Sequence, residues 1–326
     1  MISGTGISII LCCHNSATRL PATLKHLAAQ QLADDTSCEL ILVNNVSSDD
    51  TVTVAQKKWA QYPSSIINFK IVNEDTPGLS FAREKGIQSA THEIIVFCDD
   101  DNWLSPDYVM TAYKFMQDHP KVAALGGQSQ ANANVPLPTW FDNVKNHYAV
   151  GKQAPASGDV TQRTFLWGSG IVIRKSLYLK AFHNFPSLLT GRKGNELSSG
   201  EDSEMCLRFI LMGYHLYYLE QLQFTHFMET SRLSEAYYQR MSDGFVSAYH
   251  QMSDYRQQMA YHQLSPAKKY KEGLMSGLRL IIHALTGIKR WDIPTETKKL
   301  YQLSGLKFRS IPLYLVKIRQ LAVIDL

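Results

Sequence analysis

The chain has 326 residues, 44% hydrophobic and 19% charged, a balance that supports a sizeable core and excludes a disordered or fibrous polypeptide. Its net charge of +4 is too small to mark a nucleic-acid binder. No run approaches the ~18 uninterrupted apolar residues of a transmembrane helix. The charge is unevenly spread: from His226 onward there are 15 Lys and Arg against 8 Asp and Glu, and before it 18 against 21. This fits a catalytic domain followed by a tail that meets anionic surfaces, or equally an ordinary solvated helical face. Cys12, Cys13, Cys38, Cys98 and Cys206 form no CxxC pair and no even framework; three of them lie in or beside apolar runs and read as reduced core thiols, which points to a reducing, cytoplasmic compartment, at large in it or at the inner face of the membrane. The opening MISGTGISIILCCHN lacks the basic start and long apolar core of a signal peptide.

In chain order, Ile7–Cys13, Glu39–Val43, Ile66–Val72 and Glu93–Cys98 are short, β-branched and bounded by polar clusters, which predicts strands. Arg19–Gln31, Asp50–Gln61 and Leu79–Ala90 predict intervening helices, the second capped by Asp49 or Asp50. Strand–helix–strand repetition implies right-handed crossovers and a parallel sheet with helices on both faces. Ligands of such sheets bind beyond the carboxyl ends of the strands. That rule singles out His14-Asn15-Ser16, Asn44-Asn45 and Asp99-Asp100-Asp101. Beyond Trp103 the alternation lapses. Tyr108–Gln117 predicts a helix, Val122–Leu125 a strand stopped at Gly126-Gly127, and Ala131–Pro138 a loop. Thr164–Arg174 predicts a strand pair or kinked strand around Gly168 and Gly170, and Leu188–Gly200 a mobile loop. Asp202–Met212 predicts a helix, Tyr214–Leu219 a strand, and the pattern from Leu233 is mostly helical. The expected division is a catalytic domain over residues 1–228 and a mainly helical extension over 229–326.

Asp99-Asp100-Asp101 closes an apolar strand. Strand alternation places Asp99 and Asp101 on one side and Asp100 on another. Like charges so close repel unless compensated, and Mg²⁺ or Mn²⁺ takes one or two carboxylates plus phosphate oxygens in this way. The plainer alternative is an acidic turn capping the next helix. Glu201-Asp202, with Glu204 nearby, opens a helix whose N-terminus favours carboxylates. The pair is a cap, or it holds a general base that takes the proton from an attacking hydroxyl. His226 follows the strand-like Leu222–Thr225 and is either a satisfied polar residue or a nitrogen ligand to the same ion. Arg83 in GLSFAR suits a diphosphate or lies on the surface. Trp167 stacks on a sugar or base, or belongs to the core.

Together these segments resemble the inverting glycosyltransferases of family 2. SIILCCHN is similar to that family's first strand and turn, VNNVSSDDT to its second-strand motif, and GLSFAREKGI to its Gly-x-x-x-Ala-Arg-Asn-x-Gly helix. IIVFCDDDNWLSPDYV resembles its metal-binding strand, LWGSGIVIRK its acceptor-side strand, and GEDSEMCLRFILMGY the helix that carries its base. The resemblance covers residues 6–220. It implies the GT-A fold, a Rossmann-like, mostly parallel α/β sheet flanked by helices. It implies that Asp99 and Asp101 hold a divalent metal (Mn or Mg) and the diphosphate, Asp101 the more directly, with His226 near the ion. It further implies that Asp202 is the catalytic base with Glu201 beside it, and that Asn15, Asn44, Asp49, Arg83, Asp99 and Asp100 bind the nucleotide-sugar. Two positions depart from the pattern. Asn44 stands where an aspartate often meets the nucleotide base, although its amide oxygen can accept from a uracil N–H. Cys13-His14-Asn15 replaces the usual turn.

The implied reaction moves a sugar from a nucleotide-sugar donor, UDP- in preference to GDP-, to an acceptor hydroxyl with inversion. The implied acceptor is a saccharide or lipid-linked saccharide, in bacterial polysaccharide or glycolipid synthesis. A nucleotidyltransferase is the nearest rival, but a Gly-rich, Arg- and Lys-bearing loop at the first turn is missing. The other is an inactive nucleotide-sugar or carbohydrate-binding module, against which Asp99, Asp101 and Asp202 speak. A nicotinamide dehydrogenase lacks its GxGxxG, and a phosphatase of the haloacid dehalogenase type would need an aspartate where His14 stands. No nucleic-acid partner is expected. In the tail, Leu274–Leu285 and Leu313–Val323 are apolar runs with interspersed basic residues. They lie on an anionic membrane, or they pack on the catalytic domain or form a homodimer contact, packing being the expected role.

Overall fold

The structure, a computed structural model, describes residues 6–63, 65–189, 200–286, 291–306 and 309–322. It divides into two compact units, Met1–Ile210 with Tyr214–His250, and Leu211–Gly213 with Gln251–Leu326.

In the first unit, β1 (Gly6–Cys13), β2 (Ser37–Asn45), β3 (Asn68–Glu74) and β4 (Ile94–Asp99) run parallel in the order β3-β2-β1-β4. Helices α1 (Leu20–Ala28), α2 (Thr51–Trp59) and α3 (Leu79–Ser89) connect them. Strands buried on both faces read as continuous apolar runs, and both faces are covered here. Ile7, Ile9 and Leu11 share a core with Leu20, Leu24 and Leu27 of α1 and with Tyr108, Val109 and Met116 of α4 (Tyr108–Asp118). Ile10 points the other way, and α3 lies so close to it that a Cβ on Gly86 would sit 2.4 Å from its Cγ2.

Past β4 the sheet becomes mixed. β5 (Asn102–Leu104) and β7 (Gly158–Asp159) run antiparallel to β9 (His215–Met228). β6 (Val122–Ala133) runs parallel to β9, and β8 (Val172–Arg174) bridges β4 and β6, antiparallel to both. α5 (Phe141–Val144), α6 (Lys175–Phe182), α7 (Glu201–Leu211) and α8 (Glu235–Gln251) complete this part of the chain. Tyr237 and Met241 of α8 are buried in one cluster with Phe141, Tyr148 and Met228. The α/β sheet with flanking helices and a helical C-terminal region is the expected fold.

Several element bounds differ from expectation. β6 runs through Gly126-Gly127 to Ala133, with register shifts on either side of Leu125. Glycine serves close approach there, not a turn: a Cβ on Gly127 would sit 2.1 Å from the Leu222 carbonyl oxygen. β9 continues past Leu219, so that His226 lies inside a strand, paired with Asn102. Of Thr164–Arg174 only the last three residues form a strand, because Gly170 turns the chain at φ +70°. Most of the expected loop Leu188–Gly200, residues 190–199, lies outside the described residues.

The second unit contains α9 (Ser253–His262), α10 (Pro266–Thr286), α11 (Ile293–Ser304) and α12 (Leu313–Leu321). α12 buries Leu315, Ile318 and Leu321. Asp254 of α9 accepts a 2.8 Å hydrogen bond from the Tyr314 hydroxyl and lies 3.4 Å from Lys298 of α11. Among the described residues no helix is long and apolar enough to cross a membrane.

Candidate active site

The parallel register sets the site. It pairs Cys13 with Asn44 and Cys12 with Asp99, so the carboxyl ends of β1, β2 and β4 form one edge. β4 ends at Asp99 and the chain turns at once, so strand alternation no longer orients Asp100 and Asp101. The three carboxylates face three different sets of partners.

Asp99 belongs to the first set. Its Oδ2 accepts from Ser169 Oγ at 2.9 Å and Asn102 Nδ2 at 3.3 Å, and Arg83 Nη2 lies 4.0 Å from Oδ1. Arg83 is buried over the Phe97 ring, 5.1 Å from its centroid, and its Nη1 is 3.6 Å from Glu201 Oε1. Burial opposes its charge, but Glu201, Asp99 and Asp202 raise the guanidinium pKa further. Asp202 Oδ2 accepts from Gly168 N at 2.6 Å and Oδ1 from Ser203 N at 2.9 Å. Both acids stand in the first turn of α7, where the helix dipole favours negative charge. Gly168 threads between Arg83 and Asp202: a Cβ there would lie 2.9 Å from Arg83 Nη2 and 3.0 Å from Asp202 Oδ2.

Asp100 is buried against α1. It accepts from Ser16 Oγ and pairs with Arg19 at 2.6 Å, and Arg19 also reaches Glu229 at 3.1 Å. Burial, and then the charge of Asp101, push the Asp100 carboxyl up, against the pull of Arg19 and Ser16. Asp101 turns to the end of β9. Arg232 lies 2.7 Å from its Oδ2, and His226 Nε2 lies 3.4 Å from its Oδ1. Burial works against this charge, yet Arg232 and His226 hold the carboxyl well below the usual range.

The Asp101–His226 pair suits a divalent cation. His226 Nδ1 lies 2.9 Å from the Tyr148 carbonyl oxygen, which only accepts, so Nδ1 carries the hydrogen. Nε2 faces Asp101 Oδ1, a buried oxygen, at 3.4 Å, and would turn a lone pair to a cation held between the two. A backbone carbonyl that orients the ring through Nδ1 and a carboxylate beside Nε2 form the donor set of a metal ligand pair. Among the described residues no cluster of three such side chains is formed.

The remaining expected residues hold the loops together. Asn15, at φ +50°, accepts from Ser48 N at 2.8 Å. Asp49 accepts from Ala17 N and Thr51 N, each at 3.0 Å; burial opposes its charge, but the Thr51 hydroxyl and these backbone donors together lower its pKa. Asn44 donates to Asn73 Oδ1 at 3.0 Å. Trp167 is buried, with the Arg163 guanidinium 5.6 Å from its ring centroid. The cysteines are free thiols, and burial pushes Cys12, Cys38 and Cys206 up to about 12. The structure thus brings Arg83, Asp99, Glu201 and Asp202 together, gathers Asp101 with His226, and leaves Asn15, Asn44 and Asp49 at the strand ends. Sequence reading missed Arg19, Ser169, Glu229 and Arg232. Lone residues without periodic spacing give no signal until the fold places them.

Comparison with known proteins bears on the family and the fold. The family model for Glycosyl transferase family 2 matches residues 8–182. EpsH of Bacillus subtilis is 24% identical over 249 residues, 74% of this chain and 67% of that protein. The glucosyl-dolichyl phosphate glucuronosyltransferase of Haloferax volcanii is 24% identical over 156 residues, 47% of this chain and only 49% of that protein. Among solved structures, residues 1–349 of Staphylococcus aureus TarS with UDP-GlcNAc give a TM-score of 0.55 at 18% identity, covering 92% of this chain and 80% of that one. The mannosyltransferase PcManGT of Pyrobaculum calidifontis, with GDP-Man and Mn²⁺, gives 0.53 at 17% identity, covering 97% and 86%. These two likenesses concern the fold, whereas the family match spans more than half of the sequence. The chain belongs to glycosyl transferase family 2.

Proposed function

We propose that this glycosyltransferase moves a sugar from a nucleotide-diphosphate sugar, UDP- in preference to GDP-, onto a hydroxyl of a saccharide or lipid-linked saccharide. The anomeric carbon is inverted, and the product enters a bacterial surface polysaccharide or glycolipid. The observation that carries this reading is the convergence of Arg83, Asp99, Glu201 and Asp202 around the Gly168 backbone at the carboxyl edge of the sheet. The complexes of the structural neighbours, UDP-GlcNAc for TarS and GDP-Man with Mn²⁺ for PcManGT, support a nucleotide-sugar donor. The dolichyl phosphate in the name of the Haloferax relative supports a lipid-linked acceptor.

Asp202 is the base. Two backbone N–H groups orient its carboxylate, which takes the acceptor proton as the hydroxyl oxygen attacks the anomeric carbon. The bond from that carbon to the diphosphate breaks on the opposite face, and its electron pair leaves with the nucleotide. Arg83, fixed between Glu201 and Asp99, offers positive charge to the diphosphate. Asp101 and His226 would hold the divalent cation, which would supply charge to offset that building on the leaving group, while Asp99 stands beside Arg83. Asn15, Asn44, Asp49 and Asp100 shape the nucleotide end. Asp202→Asn is expected to abolish transfer and leave donor affinity by calorimetry near the wild-type value. Full turnover in that variant would overturn the base assignment.

A further inference from the structure

The helical unit carries a surface that the transfer reaction does not use. α10 is buried at Gly273 and Ser276, and a Cβ on Gly273 would come 3.9 Å from Leu300 Cδ1 of α11. Arg279–Glu296 at 2.9 Å and Lys299–Glu272 at 2.5 Å tie the same two helices. The large apolar side chains point elsewhere. Tyr270, Leu274, Leu278, Ile281 and Leu285 are all exposed, Tyr270 by 75% and Leu285 by 81%. At 100° per residue this spacing confines them to ~80° of the helix circumference, away from Gly273 and Ser276. An amphipathic helix with its apolar stripe turned outward is a docking surface.

Charge selects what docks there. Residues 251–326 hold 13 Lys and Arg against 5 Asp and Glu, whereas residues 1–250 hold 20 against 24. Lys268 and Lys271 are exposed at the start of α10, beside the stripe. A second copy of this chain would set one basic unit against another, whereas an anionic bilayer neutralises it. The helix does not qualify as a membrane span. An outward apolar stripe with flanking lysines is instead the pattern of a helix lying in the plane of the interface. We propose that α10 docks the protein on an anionic phospholipid surface, with the stripe at the acyl boundary and the lysines at the phosphates. No residue of the candidate active site takes part, so the proposal stands apart from the donor and acceptor assignments.

The test is flotation of the full chain with phosphatidylcholine vesicles, with or without about 30% phosphatidylglycerol. The wild type is expected to float with the anionic vesicles. Recovery should fall about tenfold with neutral vesicles or in ~0.5 M NaCl. Leu274→Glu with Ile281→Glu, and separately Lys268→Glu with Lys271→Glu, should each cause a comparable loss. All four positions are exposed or solvent-facing in this unit, and two independent pairs guard against one misfolded variant. A wild type that stays unbound with the anionic vesicles overturns the proposal. So does a wild-type dimer in sedimentation velocity that the Leu274/Ile281 pair converts to monomer while flotation is unchanged.

Discussion

Asp101 stays charged in a buried position because a guanidinium sits 2.7 Å away. Removing one partner of such a pair typically costs about 3–5 kcal/mol. Arg232→Gln is therefore expected to lower the thermal midpoint, and Mn²⁺ should restore more of it than it adds to the wild type, because the cation replaces the lost positive charge at Asp101. Thermal denaturation with Mn²⁺ or chelator checks this, and equal metal shifts in both proteins would contradict it. Glu39 makes a second case, away from the site. Burial opposes its charge, but Lys70, Ser8 and Thr91 prevail and hold its carboxyl below the ordinary value. A depressed folded-state pKa contributes stability above the unfolded value, and that stability is lost as pH falls through the folded one. Glu39→Gln should therefore narrow the gap between denaturation midpoints at neutral and strongly acidic pH, as measured by urea titration at each. Asp101 was singled out in the sequence, whereas Glu39 entered only as the first residue of a predicted strand. Arg232 was not singled out, because its partner lies on another element and nothing in its own neighbourhood marks it.

At the scale of elements, α7 does two things at once. Its first turn presents Glu201 and Asp202, and its inner face carries the fully buried pair Glu204–Arg208 at 2.8 Å. Arg208 also donates to the carbonyls of Ala181, Phe185 and Pro186, while Glu204 accepts from the backbone N–H groups of Leu188 and Leu189. The pair thus pins the chain after α6 to the helix that carries the base. Arg208→Met would leave Glu204 short of its main counter-charge, and we expect a stability loss of about 3 kcal/mol in denaturant titration. Gly168→Ala belongs to the same scale, since its methyl would press on Arg83 and Asp202. Misplacement near 1 Å can cost ~10²-fold in rate, so transfer should drop at least tenfold while the denaturation midpoint moves little. The parallel strands and α1 to α3 were legible because short apolar runs alternating with helical periodicity have few other solutions. The far half of the sheet was less so. Gly126-Gly127 looks the same in sequence whether it ends a strand or admits the neighbouring strand's Leu222.

On the scale of the whole molecule, chemistry and charge are segregated. The acidic edge residues lie in the unit that contains the sheet, and the basic surplus lies in the helical unit. Apolar runs alone did not separate the fates of the two tail segments: α12 buries Leu315, Ile318 and Leu321, whereas α10 exposes Leu274, Leu278, Ile281 and Leu285. The family, the fold and the acidic clusters were readable because several weak motifs fall in one order, but donor and acceptor are set by surfaces that no motif encodes. Donor turnover is therefore the decisive measurement: a screen of UDP- and GDP-sugars, recording nucleoside diphosphate release with Mn²⁺ present or chelated. Nucleotide-sugar transfer through Asp101 and Asp202 requires metal-dependent release from a specific donor, lost in Asp101→Ala and in Asp202→Asn. Silence with every donor, joined to an absence of nucleotide binding by calorimetry, would contradict it.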